Sequence, residues 1–152
     1  MSMPRLEPHA ERALATAGEL RALVGKLKRR LREKSDMGGL TLSQLSVLSH
    51  LHRDGPATVT ALARRDHVRP QSMGATVASL QALGLVRGTP DPGDRRQTLL
   101  SLTAKAHARI RKDRVAREDW LFRAILARFT PKEQDALARG VALLKRLAED
   151  ED

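Results

Sequence analysis

The fold is decided by two neighbouring stretches of the chain, RPQSMGATVASLQALGLV at residues 69–86 and DPGDRRQ at residues 91–97. Pro70 fits the first turn of a helix, where its missing N–H has no partner to lose. Gly84 supplies a left-handed stop, and Leu85 follows as the apolar residue that packs back. The second stretch combines turn-forming residues with two adjacent arginines. Together they predict a helix, a short strand and a charged hairpin loop in direct succession.

The predicted helix has one face suited to a protein core and another suited to a DNA groove. Helical spacing directs Met73, Val77 and Leu80 inward. The opposite side is small and polar and carries Gln71, Ser72, Ala75, Thr76 and Ser79. Gln can pair with adenine, while Ser and Thr can contact bases or phosphates. Arg69 stands at the helix N-terminus, where charge and dipole favour a phosphate. Taken alone, this pattern fits an ordinary surface helix equally well.

The loop after this helix carries Asp94, Arg95 and Arg96 on an exposed tip. Arg is the side chain best suited to narrow minor grooves and to phosphate pairs. Asp94 stands two residues before Arg96, so it can fold back and fix that residue in place. The flanking residues 85–88 and 97–102 are predicted strands. A solvated loop with ordinary charges is the alternative, but the helices just upstream favour a nucleic-acid contact.

Three helices are predicted before this region. The first carries apolar residues at steps of three or four from Leu6 to Leu31. The second opens at Thr41, and Gln44 follows three residues later in the pattern of a capping box. Its predicted buried face consists of Leu42, Leu45, Leu48 and Leu51. The third is short and is capped by Thr58.

Two helices are predicted after the hairpin, one from Thr103 to about Phe129 and one that opens at Thr130 with a capping-box Glu133. The chain is therefore predicted to be mainly α-helical with a small β-hairpin. We divide it into a compact lobe at residues 40–102 and a helical region at residues 5–36 and 103–149.

The apolar stripes of the helical region are too long for a lobe of this size to cover. We expect a second copy of the chain to pair with them in closed two-fold symmetry. The predicted dimerisation contacts are Leu6, Ala10, Ala17, Leu137, Val141 and Leu144.

Composition narrows the class of protein. The chain has 152 residues, and 28 Lys and Arg against 18 Asp and Glu give a net charge of +10, so a polyanion is the expected partner. The absence of Cys excludes disulfides and thiolate metal sites. We find neither an apolar run of membrane-spanning length nor a signal peptide, which favours a cytoplasmic location without membrane contact.

Several segments together resemble the MarR family of bacterial winged helix–turn–helix transcription regulators. They are TVTALA at residues 58–63, VRPQS at 68–72, LQALGLV at 80–86, DPGDRR at 91–96 and LT at 102–103. The wing pattern DPGDRR is the most specific part. The resemblance extends over nearly the whole chain, because the long flanking helices match the family's dimerisation layout.

This resemblance implies a winged helix–turn–helix lobe that binds double-stranded DNA at a pseudo-palindromic operator, in a homodimer. It implies that Asp94 orients Arg96, which enters the minor groove, and that Arg95 lies near phosphate. Gln71, Ser72 and Thr76 would face the major groove, and Thr58 and Thr60 the DNA backbone. Many members are repressors that a small phenolic or aromatic acid releases from DNA. The branch that senses oxidants through a Cys does not fit this chain.

Other function classes fit the sequence less well. A basic architectural protein that coats nucleic acid without sequence choice would explain the charge alone. We find no nucleophile elbow, phosphate loop or paired carboxylates, so we expect neither an enzyme nor a cofactor. His50 and His52 are two residues apart on a helix and point in different directions, so a surface or packing role is favoured over a metal site. The sequence does not identify the residues of a ligand pocket.

Overall fold

The computed structural model describes residues 7–35 and 37–149. In these residues the elements are, in chain order, α1 (Pro8–Glu33), α2 (Leu42–Asp54), β1 (Ala57–Thr58), α3 (Val59–Arg65), α4 (Pro70–Ala82), β2 (Val86–Pro90), β3 (Thr98–Leu102), α5 (Ala104–Arg128) and α6 (Pro131–Ala148). The fold is mainly α-helical with one small antiparallel sheet, which confirms the predicted fold class.

The described residues form two compact units. One, the helical unit, lies within Met1–Ser35 and Ala116–Asp152, and the other, the core unit, lies within Asp36–Val115. Every buried apolar side chain that the structure describes belongs to the core unit. The lobe predicted at residues 40–102 falls within this unit.

The core of the core unit is aliphatic. The inward face predicted for α4 is confirmed, because Met73, Val77 and Leu80 are all buried. In α2, Leu48 and Leu51 are buried as predicted, but the prediction for Leu42 is wrong, since 66% of this residue is exposed. Leu42 is the first residue of α2, and the core begins one turn later in that helix.

The sheet has three strands in the order β1-β3-β2. The hairpin of β2 and β3 was expected, and it extends from the pair Val86–Leu102 to the pair Pro90–Thr98. No sequence pattern predicts β1, a strand of two residues in which Ala57 pairs with Leu100. This pairing fastens the start of α3 to the middle of β3.

Helices α3 and α4 end in the same backbone motif. At the end of α4, the N–H groups of Gly84 and Leu85 donate to the carbonyls of Gln81 and Leu80, and the φ of Gly84 is +71°. This is a Schellman motif, and it confirms the predicted stop at Gly84.

At the end of α3, the N–H groups of His67 and Val68 donate in the same way to the carbonyls of Arg64 and Ala63. His67 takes the left-handed position, with a φ of +52°. An L side chain is unfavourable in this conformation, whereas glycine is not. The turn between α3 and α4 therefore contains a strained residue at the position that glycine occupies at the end of α4.

The helical unit contains α1, α6 and the second part of α5. Within the described residues, neither α1 nor α6 has a buried residue. The exposed large apolar side chains of this unit are Leu14, Leu23, Val24, Leu27, Phe122, Leu126, Phe129, Leu137, Val141, Leu143, Leu144 and Leu147. Leu6, a predicted dimerisation contact, lies outside the described residues. Over the ranges that the structure describes, we find no helix that combines the length and the hydropathy needed to cross a membrane.

Candidate nucleic-acid interface

The start of α3 is built around Thr58. Its hydroxyl accepts a hydrogen bond from the N–H of Ala61 (3.2 Å) and so caps the helix, as predicted. The backbone of Thr58 pairs with Leu99 in the sheet, and the residue is half-buried. Thr60 is exposed on the first turn of α3. Of these two threonines, therefore, Thr58 also carries a structural role.

The turn between α3 and α4 is held by α2. The carboxylate of Asp66, the last residue before His67, accepts a hydrogen bond from the hydroxyl of Ser46 (2.9 Å). The Nε2 of His50 lies 2.8 Å from the same carboxylate oxygen, and both side chains are mostly buried. These contacts give His50 a packing role, and they were missed in the sequence because Ser46 and His50 meet Asp66 only in the folded chain.

A second contact joins the end of α2 to α3. The carboxylate of Asp54 binds the guanidinium of Arg65 and lies 3.5 Å from the Nε of Arg53. Burial raises the pKa of Asp54, but the hydrogen bonds and positive charges of Arg65 and Arg53 outweigh it and bring the pKa below its ordinary value. The carboxylate therefore stays charged at neutral pH and holds α3 against α2.

Helix α4 presents a polar face to solvent. Arg69, immediately before Pro70, is exposed, and so are Gln71 and Ser72 in the first turn. Thr76 is half-buried, and its hydroxyl donates to the carbonyl of Ser72 (3.2 Å). Because that bond uses its only proton, Thr76 offers its methyl group and its oxygen lone pairs to a partner.

One residue assigned to the solvent face is placed differently. Ser79 is half-buried and accepts a hydrogen bond from the Nε2 of Gln44 in α2 (2.9 Å), while its own hydroxyl donates to the carbonyl of Thr76 (2.6 Å). The periodicity of α4 correctly assigns Ser79 to the polar stripe. It cannot show that α2 covers this end of the stripe.

The wing loop is shaped by two aspartates. The N–H of Gly93 donates to Asp91 Oδ1 (2.9 Å), and the N–H of Arg96 donates to Asp94 Oδ1 (3.0 Å). Backbone bonds between Asp91 and Gln97, and between Gln97 and Asp94, close the loop. Asp94 thus holds the backbone N–H of Arg96, and this hydrogen bond does not involve the guanidinium of Arg96.

The wing presents exposed arginines. Arg95 and Arg96 are exposed at the tip, as expected. Arg87 on β2, which was not among the predicted residues, is also exposed, and its Nε lies 3.4 Å from the hydroxyl of Ser101. Gly88 allows the two strands to approach here, since a Cβ on it would lie 2.5 Å from the Cγ2 of Thr98.

Comparison with known proteins identifies the class to which this geometry belongs. Residues 38–97, from the segment before α2 to the wing loop, match the model of the MarR family. An uncharacterised HTH-type transcriptional regulator of Mycobacterium bovis is 37% identical over 134 residues, which cover 88% of this chain and 93% of the relative. The chain belongs to the MarR family. It is a DNA-binding transcription regulator with a winged helix–turn–helix fold.

Two further comparisons agree with a transcription regulator. The HTH-type transcriptional repressor MdtR of Bacillus subtilis is 29% identical over 137 residues, which cover 88% of this chain and 85% of MdtR. A crystal structure of a transcriptional regulator from Pseudomonas aeruginosa is 33% identical and covers 92% of this chain and 98% of its own, with a TM-score of 0.78. The likeness therefore includes the long helices that lie outside the MarR sequence match.

Proposed function

We propose that this MarR regulator is a homodimeric repressor that reads a pseudo-palindromic operator with α4 and its wing. The observation that carries the proposal is that one compact unit presents both an exposed polar first turn of α4 and an exposed arginine tip. A helix in the major groove can read base edges, and an arginine in the adjacent minor groove can read the width of that groove. The two contacts together recognise both the sequence and the shape of the DNA. The roles of the individual residues below are part of this proposal.

On α4, Gln71 and Ser72 contact base edges, and Thr76 offers its methyl group to a thymine. Arg69 binds a phosphate at the helix N-terminus, where the dipole adds to its charge. Thr58 and Thr60 contact the DNA backbone. A hydroxyl that accepts from a helix N–H, as that of Thr58 does, can still donate to a phosphate oxygen.

On the wing, Arg96 enters the minor groove and Arg95 binds phosphate. Asp94 contributes by fixing the backbone of Arg96, which limits the directions in which the side chain can leave the loop. A preorganised arginine loses less conformational entropy when it binds than a free one. Arg87 adds positive charge at the base of the wing.

The proposal of a homodimer is supported by the exposed apolar side chains of α1 and α6. On α6, Leu137, Val141 and Leu144 are 37%, 46% and 44% exposed, although their spacing is that of a buried stripe. Ala17 of α1 is exposed as well, and Ala10 is half-buried. An apolar groove between the two helices is lined by Thr16, Leu20, Gly140, Leu143, Leu144, Arg146 and Leu147. Large exposed apolar surfaces on a protein typically mark interaction sites.

Repression and ligand release form the finer part of the proposal. The name of MdtR supports repression, because that relative is called a repressor. Release by a small aromatic or phenolic ligand is supported by the family resemblance alone. A regulator of chromosomal DNA also works in the cytoplasm, where we place this one.

The experiment that tests this proposal is a selection of genomic fragments by the purified protein at about 150 mM salt, where specific sites typically bind ~10³-fold or more tighter than random DNA. We expect an inverted repeat to be recovered. Arg96→Ala should lose it while keeping its fold and oligomeric state, as measured by circular dichroism and sedimentation. Recovery of random fragments by the wild-type protein would instead support the architectural alternative, which the net charge of +10 favours.

A further inference from the structure

The side chain of Gln44 makes hydrogen bonds at both ends of its amide. Its Oε1 accepts from the N–H of Thr41 (2.8 Å), which completes the capping box at the start of α2. Its Nε2 donates to the hydroxyl of Ser79 (2.9 Å), which lies in the last turns of α4 and 35 residues further along the chain. One side chain therefore starts α2 and holds α4 against it.

The partners fix which end of the amide faces which helix. The N–H of Thr41 needs an acceptor, so it takes the oxygen. The hydroxyl of Ser79 already donates its only proton to the carbonyl of Thr76 (2.6 Å), so it needs a donor and takes the nitrogen. Glu can supply the oxygen but has no N–H to donate, whereas Gln satisfies both partners.

A second capping box in the same chain shows the contrast. At the start of α6, the carboxylate of Glu133 accepts from the N–H of Thr130 (2.8 Å) and from its hydroxyl (3.0 Å). Here a Glu serves, because the cap requires acceptors only. At α2 the chain has Gln in the equivalent position, where the additional contact with α4 requires a donor.

The contact reaches the stripe of α4 that faces DNA in the proposed function. Ser72, Thr76 and Ser79 stand at i, i+4 and i+7, so they lie along one side of the helix. Hydroxyl-to-carbonyl bonds connect them, from Ser79 to Thr76 and from Thr76 to Ser72. Any rotation of α4 about its axis that re-aims Ser72 and Thr76 must also displace Ser79 from Gln44.

We propose that Gln44 is a positioning residue for sequence recognition, which sets the rotation of α4 through its hydrogen bond to Ser79. This inference rests on the proposed function of α4. Recognition requires the reading side chains to be held to within about 10–20° of their productive direction, and one fixed point at the far end of the helix provides that constraint. Gln44 itself has no contact with DNA in this proposal.

Two variants remove the contact and keep the cap of α2. Ser79→Ala removes the acceptor on α4 and leaves Gln44 and Thr41 unchanged. Gln44→Glu removes the donor and keeps an oxygen for the N–H of Thr41, as Glu133 does for Thr130. Each has a matched control at an exposed position of α2, namely Ser49→Ala for the lost hydroxyl and Ser43→Glu for the added charge.

The measurements are the dissociation constants for the selected operator and for a random duplex of the same length, together with the melting temperature of each protein. Both variants should bind the operator about threefold to tenfold more weakly, the effect of one hydrogen bond. Binding to the random duplex should follow the matched controls, and the melting temperature should fall by no more than the loss of one hydrogen bond implies. The double variant should lose no more operator affinity than Ser79→Ala alone, because both changes break the hydrogen bond between Gln44 and Ser79.

Amide hydrogen exchange gives a readout that needs no DNA. Gln44→Glu should accelerate exchange in the last turns of α4, although the change lies in α2, and Ser43→Glu should not. Operator and random affinities that fall by the same factor, or α4 exchange that stays at the wild-type rate in Gln44→Glu, would overturn the positioning role. If the wild-type protein selects no operator, the proposed function fails, and the exchange experiment alone decides the role of Gln44.

Discussion

The core unit and the helical unit of this chain differ in how much of their apolar surface they bury within the chain. The core unit has short helices and a small sheet, yet its Leu62, Leu80 and Leu85 are completely buried. The helical unit has α1 and α6, of 26 and 18 residues, and neither helix buries a residue in the range that the structure describes. A helix of that length gains most of its stability from packing of its apolar face. The core unit therefore buries its apolar face within one chain, whereas the helical unit leaves apolar surface exposed that the proposed second copy would cover.

The largest effect that separates the two units is expected for Leu62→Ala. This residue has no exposed surface, so the truncation leaves a cavity and should cost about 2–5 kcal/mol of unfolding free energy. The loss should be the same at low and at high protein concentration, because the core unit is complete within one chain. Urea unfolding at both concentrations measures it. A loss that grows on dilution would show that the core unit, too, depends on the partner.

The corresponding change in the helical unit is Leu144→Glu, which should act on assembly. Burial of an unpaired carboxylate in a dimer interface costs several kcal/mol, so the dimer dissociation constant should rise by roughly 100-fold. Sedimentation equilibrium measures this constant. Ala142→Glu adds the same charge two positions away, on a different side of α6, and should have little effect. Equal effects of the two variants would remove the basis for an interface on the Leu144 face.

A smaller effect should come from the turn that ends α3. His67→Gly places glycine in the left-handed position that Gly84 occupies at the end of α4, and should stabilise the core unit by up to about 1 kcal/mol. The reverse change, Gly84→Ala, should destabilise it by a similar amount, since its Cβ would have ordinary contacts and only the backbone conformation is unfavourable. The midpoints of urea unfolding, measured for both variants and for the wild-type protein, test these two expectations. If His67→Gly is destabilising, the imidazole contributes more to the turn than its backbone strain costs.

The smallest effect concerns the start of α6 and depends on pH. Hydrogen bonds from the backbone N–H and then the hydroxyl of Thr130 lower the pKa of Glu133 below its ordinary value of 4.5. The ionised form therefore stabilises the folded helix above about pH 4.5, and this contribution disappears as the pH falls through the lowered pKa. Glu133→Gln should melt below the wild type at neutral pH, and the two melting temperatures should converge in acid. A constant difference down to low pH would contradict this assignment.

What the sequence predicted well was local. The capping boxes at Thr41 and Thr130 and the stop at Gly84 involve residues within a few positions of one another, so the chain specifies them without tertiary contacts. The inward face of α4 followed from the same helical spacing. The predicted DNA-contacting and dimerisation residues stay predictions, and the structure adds where the side chains lie for those of them that it describes.

What the sequence could not predict depended on contacts between distant residues. Strand β1 exists because Ala57 meets Leu100, and two residues carry no periodicity. Leu42 satisfies the spacing of a buried stripe but lies beyond the edge of the core. Ser79 was placed on the solvent side of α4 because periodicity gives the direction of a side chain and not the position of the neighbouring helix.

The uncovered helices α1 and α6 have a consequence for gene control. If a second copy completes them, the amount of active regulator at low expression rises with the square of the number of chains in the cell. Halving the gene dosage would then lower the occupied fraction of a weak operator about fourfold. Such a regulator responds to its own abundance more steeply than a monomer does, because the apolar surface of α1 and α6 is covered only when two chains associate.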